Sequence, residues 1–282
     1  MIRWKLSASW EGDEAVHIRL NGGEIETDSM TVYGLKPDLV PKKTAVIVNG
    51  FQLDGYQALA EWDNIFIIDK TVLPPPEQLE AMMAARHTPH VHAALKKGRV
   101  AVAGLGGLGS NIAVSLARIG VGRLLLVDFD TVEPSNLNRQ SYYIRHLGLL
   151  KTEALKEQLQ EINPFVKIET AAVLVQAGNV AALFRDSDII CEAFDRPGEK
   201  AMLVNAVLEQ LPDTIIVAAS GMAGFESSNL IRTQRMLERL YICGDGQNGA
   251  RAGNGMMAPR VQICAGHQAN MVMRLLLGAD TV

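Results

Sequence analysis

The spacing of apolar residues changes character along the chain. Over the first seventy positions they fall in short runs closed by turn residues: 15–20 (AVHIRL) before Asn21-Gly22-Gly23, 44–48 (TAVIV) before Asn49-Gly50, and 64–69 (NIFIID). Short runs rich in β-branched residues and closed by Asn-Gly predict strands joined by tight hairpin turns. Pro74-Pro75-Pro76 can continue neither a helix nor a central strand and marks a boundary. From 77 to 95 the spacing is helical, with Pro89 as an interruption.

After Lys96-Lys97-Gly98 strand and helix patterns alternate. Strands are predicted at 99–103, 123–127, 168–175, 189–191 and 214–219. Helices are predicted at 110–119 with Gly120 as cap, 151–162 stopped by Asn163-Pro164, 202–211 and 261–277. Alternation of this kind builds an α/β fold: a doubly wound, Rossmann-like, mostly parallel sheet with helices on both faces. The expected organisation is a small mostly-β module over 1–73, a linker and helix over 74–98, and the α/β domain over 99–282.

Composition narrows the class. With 48% apolar residues in 282, the chain can fill a sizeable core. A formal charge of −4 gives no broad basic footprint, so no nucleic-acid partner is expected. Cys191, Cys243 and Cys264 form neither a disulfide framework nor a four-thiolate zinc site. No run reaches eighteen apolar residues, and residues 1–14 lack a signal-peptide core, so no membrane is expected and the cytoplasm is the expected location.

The chemistry concentrates where strands end. Gly104, Gly106 and Gly109 fit G-x-G-x-x-G after a strand and before a helix, and Gly107 adds a fourth glycine. Such a turn brings backbone N–H groups and a helix N-terminus up to phosphate. Asp128, ending the next strand, suits ribose hydroxyls. The block Ser135-Asn136-Leu137-Asn138-Arg139-Gln140 follows at the same rim. A dehydrogenase needs no cationic cluster there. A nucleotidyl transferase does, because an attacking carboxylate and departing pyrophosphate are both anionic. Arg139 and Lys151 could cover that charge, Asn136 could donate to phosphates, and Asp195 suits a magnesium ion.

Taken together, GLGGLG, LLLVDFDTVEPSNLNRQ, Lys151, EINP at 161–164 and Asp195 resemble the ThiF/MoeB/HesA family, bacterial relatives of ubiquitin-activating enzymes. The resemblance runs from about Arg86 to Gly278. The N-terminal module (IRLNGG, AVIVNG, WDNIFIID) resembles a β-grasp sulfur carrier of the ThiS type, a fusion seen in ThiF-like proteins associated with thiamine biosynthesis. The resemblance implies ATP- and magnesium-dependent adenylation of the C-terminal glycine carboxylate of a ThiS-like sulfur carrier protein. Asp128 would hold ribose, Asn136, Arg139 and Lys151 the phosphates, and Asp195 the magnesium. It also implies a homodimer in which an arginine from one subunit reaches the other's γ-phosphate, and Arg86 is the best match for it.

Three departures qualify the resemblance. Many members carry two Cys-x-x-Cys zinc pairs; here only Cys243 falls in that stretch, so no zinc site is expected. The crossover-loop cysteine of thiamine-type members is replaced by Asn248-Gly249-Ala250-Arg251. Cys243 is either its substitute or a structural thiol, and the second reading is favoured. Finally, the module runs on through Lys70-Thr71-Val72-Leu73 instead of ending in a free Gly-Gly tail. Three rival functions stand beside the adenylyltransferase: a tRNA threonylcarbamoyl-adenosine dehydratase-like enzyme, an NAD-dependent oxidoreductase, and a non-catalytic binding protein.

Overall fold

In the computed structural model, which describes residues 15–36, 43–53, 55–87 and 90–282, both Asn-Gly pairs make hairpin turns. Asn21 and Asn49 have φ near 51°, and Gly22 and Gly50 have φ of 88° and 91°, the left-handed conformation that such turns demand. The first pair joins β1 (Val16–Leu20) to β2 (Gly23–Thr27). A short α1 (Val32–Leu35) follows, capped by Thr31, and the second pair joins β3 (Thr44–Val48) to β4 (Phe51–Gln52). With β5 (Asn64–Asp69) these strands form one sheet in the order β2-β1-β5-β3-β4. Residues 1–14 and Pro89 lie outside the described residues.

Alternation along β3 and β5 sorts their side chains to two faces. Val46, Val48, Ile65 and Ile67 pack with Ile18 and Val32 on one. On the other, Ile47 and Phe66 pack with Ala81, Met82 and Ala85, residues of and just after α2 (Pro76–Met83). The chain divides into two compact units, Met1–His90 and Val91–Val282. The helical spacing over 77–95 therefore splits: α2 belongs with the small sheet, and α3 (Val91–Leu95) with the second unit.

The second unit continues β6 (Arg99–Ala103), α4 (Gly107–Arg118), β7 (Arg123–Val127), α5 (Lys151–Ile162), β8 (Lys167–Ala171), α6 (Val180–Phe184), β9 (Ile189–Glu192), α7 (Pro197–Gln210), β10 (Ile215–Ala219), β11 (Arg232–Leu237), β12 (Leu240–Gly244) and α8 (Ala258–Leu276). Its sheet runs β11-β12-β10-β9-β6-β7-β8, and each neighbouring pair is parallel except β11 with β12. Val100 and Val102 face α4, α5 and α8, while Ala101 and Ala103 face α6 and α7. From β6 the chain proceeds to β7 and β8 on one side, then returns to β9 on the other. The strand order reverses between β6 and β9, the place where doubly wound sheets bind ligands. Among the described residues no helix is long and apolar enough to cross a membrane.

Several elements differ from the sequence expectation. Helix α4 begins at Gly107, three residues early, because its glycines answer to packing and do not break the helix. Helix α7 begins at Pro197, where proline's fixed φ suits a first turn. Strand β8 ends at Ala171. The hairpin of β11 and β12 was not expected at all.

Candidate active site

The glycine turn is built by close approach. Gly104 has φ of 89°, and a Cβ there would lie 2.8 Å from the Ala193 carbonyl oxygen and 2.9 Å from the Phe194 ring. At Gly109 a Cβ would lie 1.8 Å from the Gly104 carbonyl oxygen. At Gly107 it would lie 2.9 Å from Val261. Gly106 is the N-terminal cap of α4 and brings no side chain to it, which leaves the first-turn N–H groups for a ligand.

Asp128 follows β7 and fastens this turn. Its Oδ2 accepts the Leu105 N–H at 2.6 Å and its Oδ1 the Asp130 N–H at 2.8 Å. Each oxygen keeps a further lone pair for a hydroxyl donor. The Tyr142 hydroxyl donates to the Leu105 carbonyl at 2.9 Å. Burial and the Asp128 charge push that phenol well above its ordinary value, so it remains a donor.

The Ser135–Gln140 block is held against the same helix end. Asn136 is buried, and its Oδ1 accepts the Glu133 N–H at 3.0 Å. Arg139 lays its stem over Gly107, whose Cβ would stand 3.5 Å from Arg139 Cγ. Its Nη1 donates to the Ser135 carbonyl at 3.0 Å and to Asn138 Oδ1 at 2.8 Å. Two residues that sequence reasoning missed, Ser110 and Asn111, pin the block down. Ser110 Oγ donates to the Gly106 carbonyl at 2.7 Å and accepts the Ser141 N–H at 3.0 Å. Asn111 Nδ2 donates to the carbonyls of Gly107 and Arg139, at 2.7 and 3.1 Å. The only sequence signal was polar residues in the first turn of a helix otherwise facing core.

Lys151 opens α5 with its side chain buried, and its Nζ stands 3.0 Å from Asp130 Oδ2. A cation at a helix N-terminus is opposed by the helix dipole, and Asp130 offsets that. Asp130 was also missed, although it lies two residues beyond Asp128. Asp195 lies between β9 and α7, one residue past the Phe194 that rests on Gly104. It is exposed and, among the described residues, makes no hydrogen bond. Behind it Glu192 is fully buried; burial pushes its carboxyl up against the pull of Lys200. Arg86 belongs to the first unit, is exposed, and donates from Nη2 to Gln52 Oε1 at 3.0 Å.

All three cysteines are buried. Burial pushes the Cys243 thiol up to about 11 and the Cys264 thiol to about 12, and raises Cys191 as well. Among the described residues no group of three His, Cys, Asp or Glu side chains is placed to hold a metal ion. The stretch after β12 is anchored by a buried ion pair between Asp245 and Arg260. Burial would raise the Asp245 carboxyl, but hydrogen bonds from Asn248 and Gln247 and the Arg260 charge hold it below its ordinary range.

Residues 80–282 of the chain match the ThiF family, and residues 16–71 match a ThiS-like ubiquitin. The chain belongs to the ThiF family. It is 32% identical over 191 residues to the Escherichia coli molybdopterin-synthase adenylyltransferase, covering 66% of this chain and 75% of that one. It is 40% identical over 150 residues to the adenylyltransferase and sulfurtransferase UBA4 of Candida glabrata. That match covers 53% of this chain but only 34% of UBA4, so the chain spans about a third of that relative. Both of these relatives are adenylyltransferases. Among solved structures, E. coli tRNA N6-threonylcarbamoyladenosine dehydratase in complex with ATP superposes with a TM-score of 0.65 at 19% identity, over 73% of this chain and 98% of that one. That likeness establishes a shared fold.

Proposed function

We propose that this ThiF-family chain is an ATP-dependent adenylyltransferase that activates the C-terminal glycine carboxylate of a ThiS-like, ubiquitin-fold sulfur carrier, in the thiazole branch of thiamine biosynthesis. The observation that carries the reading is the gathering of the glycine turn, Asp128, Arg139, Lys151 and Asp195 at the one rim where the strand order reverses. Asp128 accepts hydrogen bonds from the ribose. The open first turn of α4 receives phosphate. Arg139 and Lys151 stabilise charge as a carboxylate oxygen attacks the α-phosphorus and the bond to the departing pyrophosphate breaks. Asn136, whose Nδ2 makes among the described residues only a 3.4 Å contact with Ser135 Oγ, turns that amide to a phosphate oxygen. Lys151 shares its charge between Asp130 and the phosphates.

Asp195 fits a magnesium ion: it is exposed at a strand end, uncommitted among the described residues, and a lone carboxylate suffices when phosphates supply further oxygens. The ion would neutralise charge on the triphosphate. In this reading the enzyme is a homodimer, and Arg86 serves the partner's γ-phosphate. The ThiS-like module is not itself the carrier. After β5 its chain turns into α2, which packs on the sheet, so no free tail is left to enter an active site. The module serves docking, dimerisation or regulation.

The test is carrier-dependent exchange of labelled pyrophosphate into ATP with candidate ThiS-like carriers. Arg139→Ala should lower that exchange by about a hundredfold or more, as loss of one preorganised charge stabiliser does. Exchange at the unmodified rate would remove Arg139 from the mechanism. A thermal shift with NAD but none with ATP would overturn the whole reading in favour of an oxidoreductase.

A further inference from the structure

We propose that Glu192 and Lys200 form a positioning pair that fixes the segment carrying Asp195 against the glycine turn. This rests on the reading of Asp195 as the magnesium ligand. Neither residue touches nucleotide in that reading; they act through the backbone between them.

Glu192 is the last residue of β9 and its side chain has no exposure. A carboxylate so placed persists only with close partners. It accepts the Phe194 N–H at 2.7 Å and the Lys200 ammonium at 2.9 Å. Lys200 also donates to the Phe194 carbonyl at 2.8 Å. Both backbone polar groups of Phe194 are thus held by one ion pair, whose carboxylate is fully buried and whose ammonium is partly so. Behind the strand end, Gln268 Nε2 donates to the carbonyls of Glu192 and Val217, each at 3.0 Å. The far side of the same segment abuts Gly104 through Ala193 and the Phe194 ring. Asp195 follows directly, so its starting point is fixed relative to the phosphate turn.

The placement of Lys200 argues against a role in stability alone. It lies in the first turn of α7, where the helix dipole disfavours a cation and an acidic residue would serve better. A buried ion pair is also a weak source of stability compared with well-packed apolar side chains. What this pair supplies is orientation: a lysine at this one point reaches both the strand-end carboxylate and the Phe194 carbonyl. Partners behind a metal ligand commonly set its geometry and affinity.

The test measures binding of manganese, as a stand-in for magnesium, to the full chain with a non-hydrolysable ATP analogue, by paramagnetic resonance of the free ion. Nucleotide affinity without metal is measured alongside. Lys200→Met should weaken manganese binding by about tenfold or more, with metal-free nucleotide affinity held within about twofold, and Lys200→Arg should recover most of the loss. If Lys200→Met unfolds, the double variant Glu192→Gln/Lys200→Met leaves no buried charge and should show the same loss. Asp195→Asn separates the two readings. If it leaves manganese binding unchanged, Asp195 is not the ligand and the pair has nothing to position. If it abolishes binding while Lys200→Met or the double variant binds as the unmodified protein does, the pair's role alone is overturned. An equal fall in metal-free nucleotide affinity, or no recovery with Lys200→Arg, also overturns it.

Discussion

Gly104 and Gly109 are glycines for different physical reasons, and substitution should separate them. Gly104 needs its left-handed backbone, and an added methyl also meets Ala193; strain of that kind costs about 1–3 kcal/mol. Gly109 is an ordinary helical residue whose Cβ would stand 1.8 Å from the Gly104 carbonyl oxygen, a contact that only backbone movement can relieve. Gly109→Ala should therefore destabilise more than Gly104→Ala in urea unfolding. An equal or smaller effect would show that α4 shifts easily. The thiols give a second expectation at this scale. With all three buried and raised, native protein at pH 8 should react with iodoacetamide far more slowly than unfolded protein, where three thiols per chain become available. Rapid native labelling of Cys243 would revive it as a crossover-loop substitute. The residues proposed for the site, the glycines, Asp128, Arg139 and Lys151, stood out in the sequence by residue type and spacing, and they lie near one rim of the sheet. Their supports did not stand out. Asp130 and Glu192 acquire a role only when the fold brings Lys151 and Lys200 onto them.

Among elements, the strongly periodic ones were legible and the weakly patterned ones were not. Helix α5 and strands β6 and β7 have the bounds that the sequence predicts, since buried neighbours on both sides enforce a clean apolar pattern. Strand β11 reads RTQRML and is mostly exposed at the sheet edge, so no apolar alternation marks it. The early start of α4 was hidden because glycine's low helix propensity reads as loop, and packing overrode it. Between β7 and β8 the register carries a titratable link. Hydrogen bonds from Arg123 and then Lys167 hold the Glu169 carboxyl down, from 4.5 to about 2. A lowered carboxylate contributes stability above its unfolded value and loses it as pH falls through the folded one. That contribution should be complete above pH 4.5 and fade towards pH 2. Glu169→Gln should flatten the acid limb of the urea midpoint against pH in this window. An unchanged acid limb would mean that the pairing persists equally in the unfolded chain.

The whole chain carries two units with separate cores, and the sequence placed their boundary by composition, at the proline run. The contacts of α2 put those residues elsewhere. A chain beginning at residue 74 would keep α2 but strip Ala81, Met82 and Ala85 of Ile47 and Phe66, leaving an apolar face uncovered. A chain beginning at Val91 keeps the second unit's core whole, together with the glycine turn, Asp128, Arg139, Lys151 and Asp195. It should be soluble, unfold cooperatively and bind ATP with affinity close to that of the full chain, while the chain from residue 74 aggregates. Arg86 is lost with the first unit, so the shortened enzyme should fall in pyrophosphate exchange even where it binds ATP. Arg86→Ala in the full chain isolates the cause. If that variant exchanges as slowly as the shortened chain, the arginine is what the first unit supplies. If it exchanges normally while the shortened chain does not, the ThiS-like module acts through its own surface, in docking the carrier or in assembly, and Arg86 has no part in the reaction.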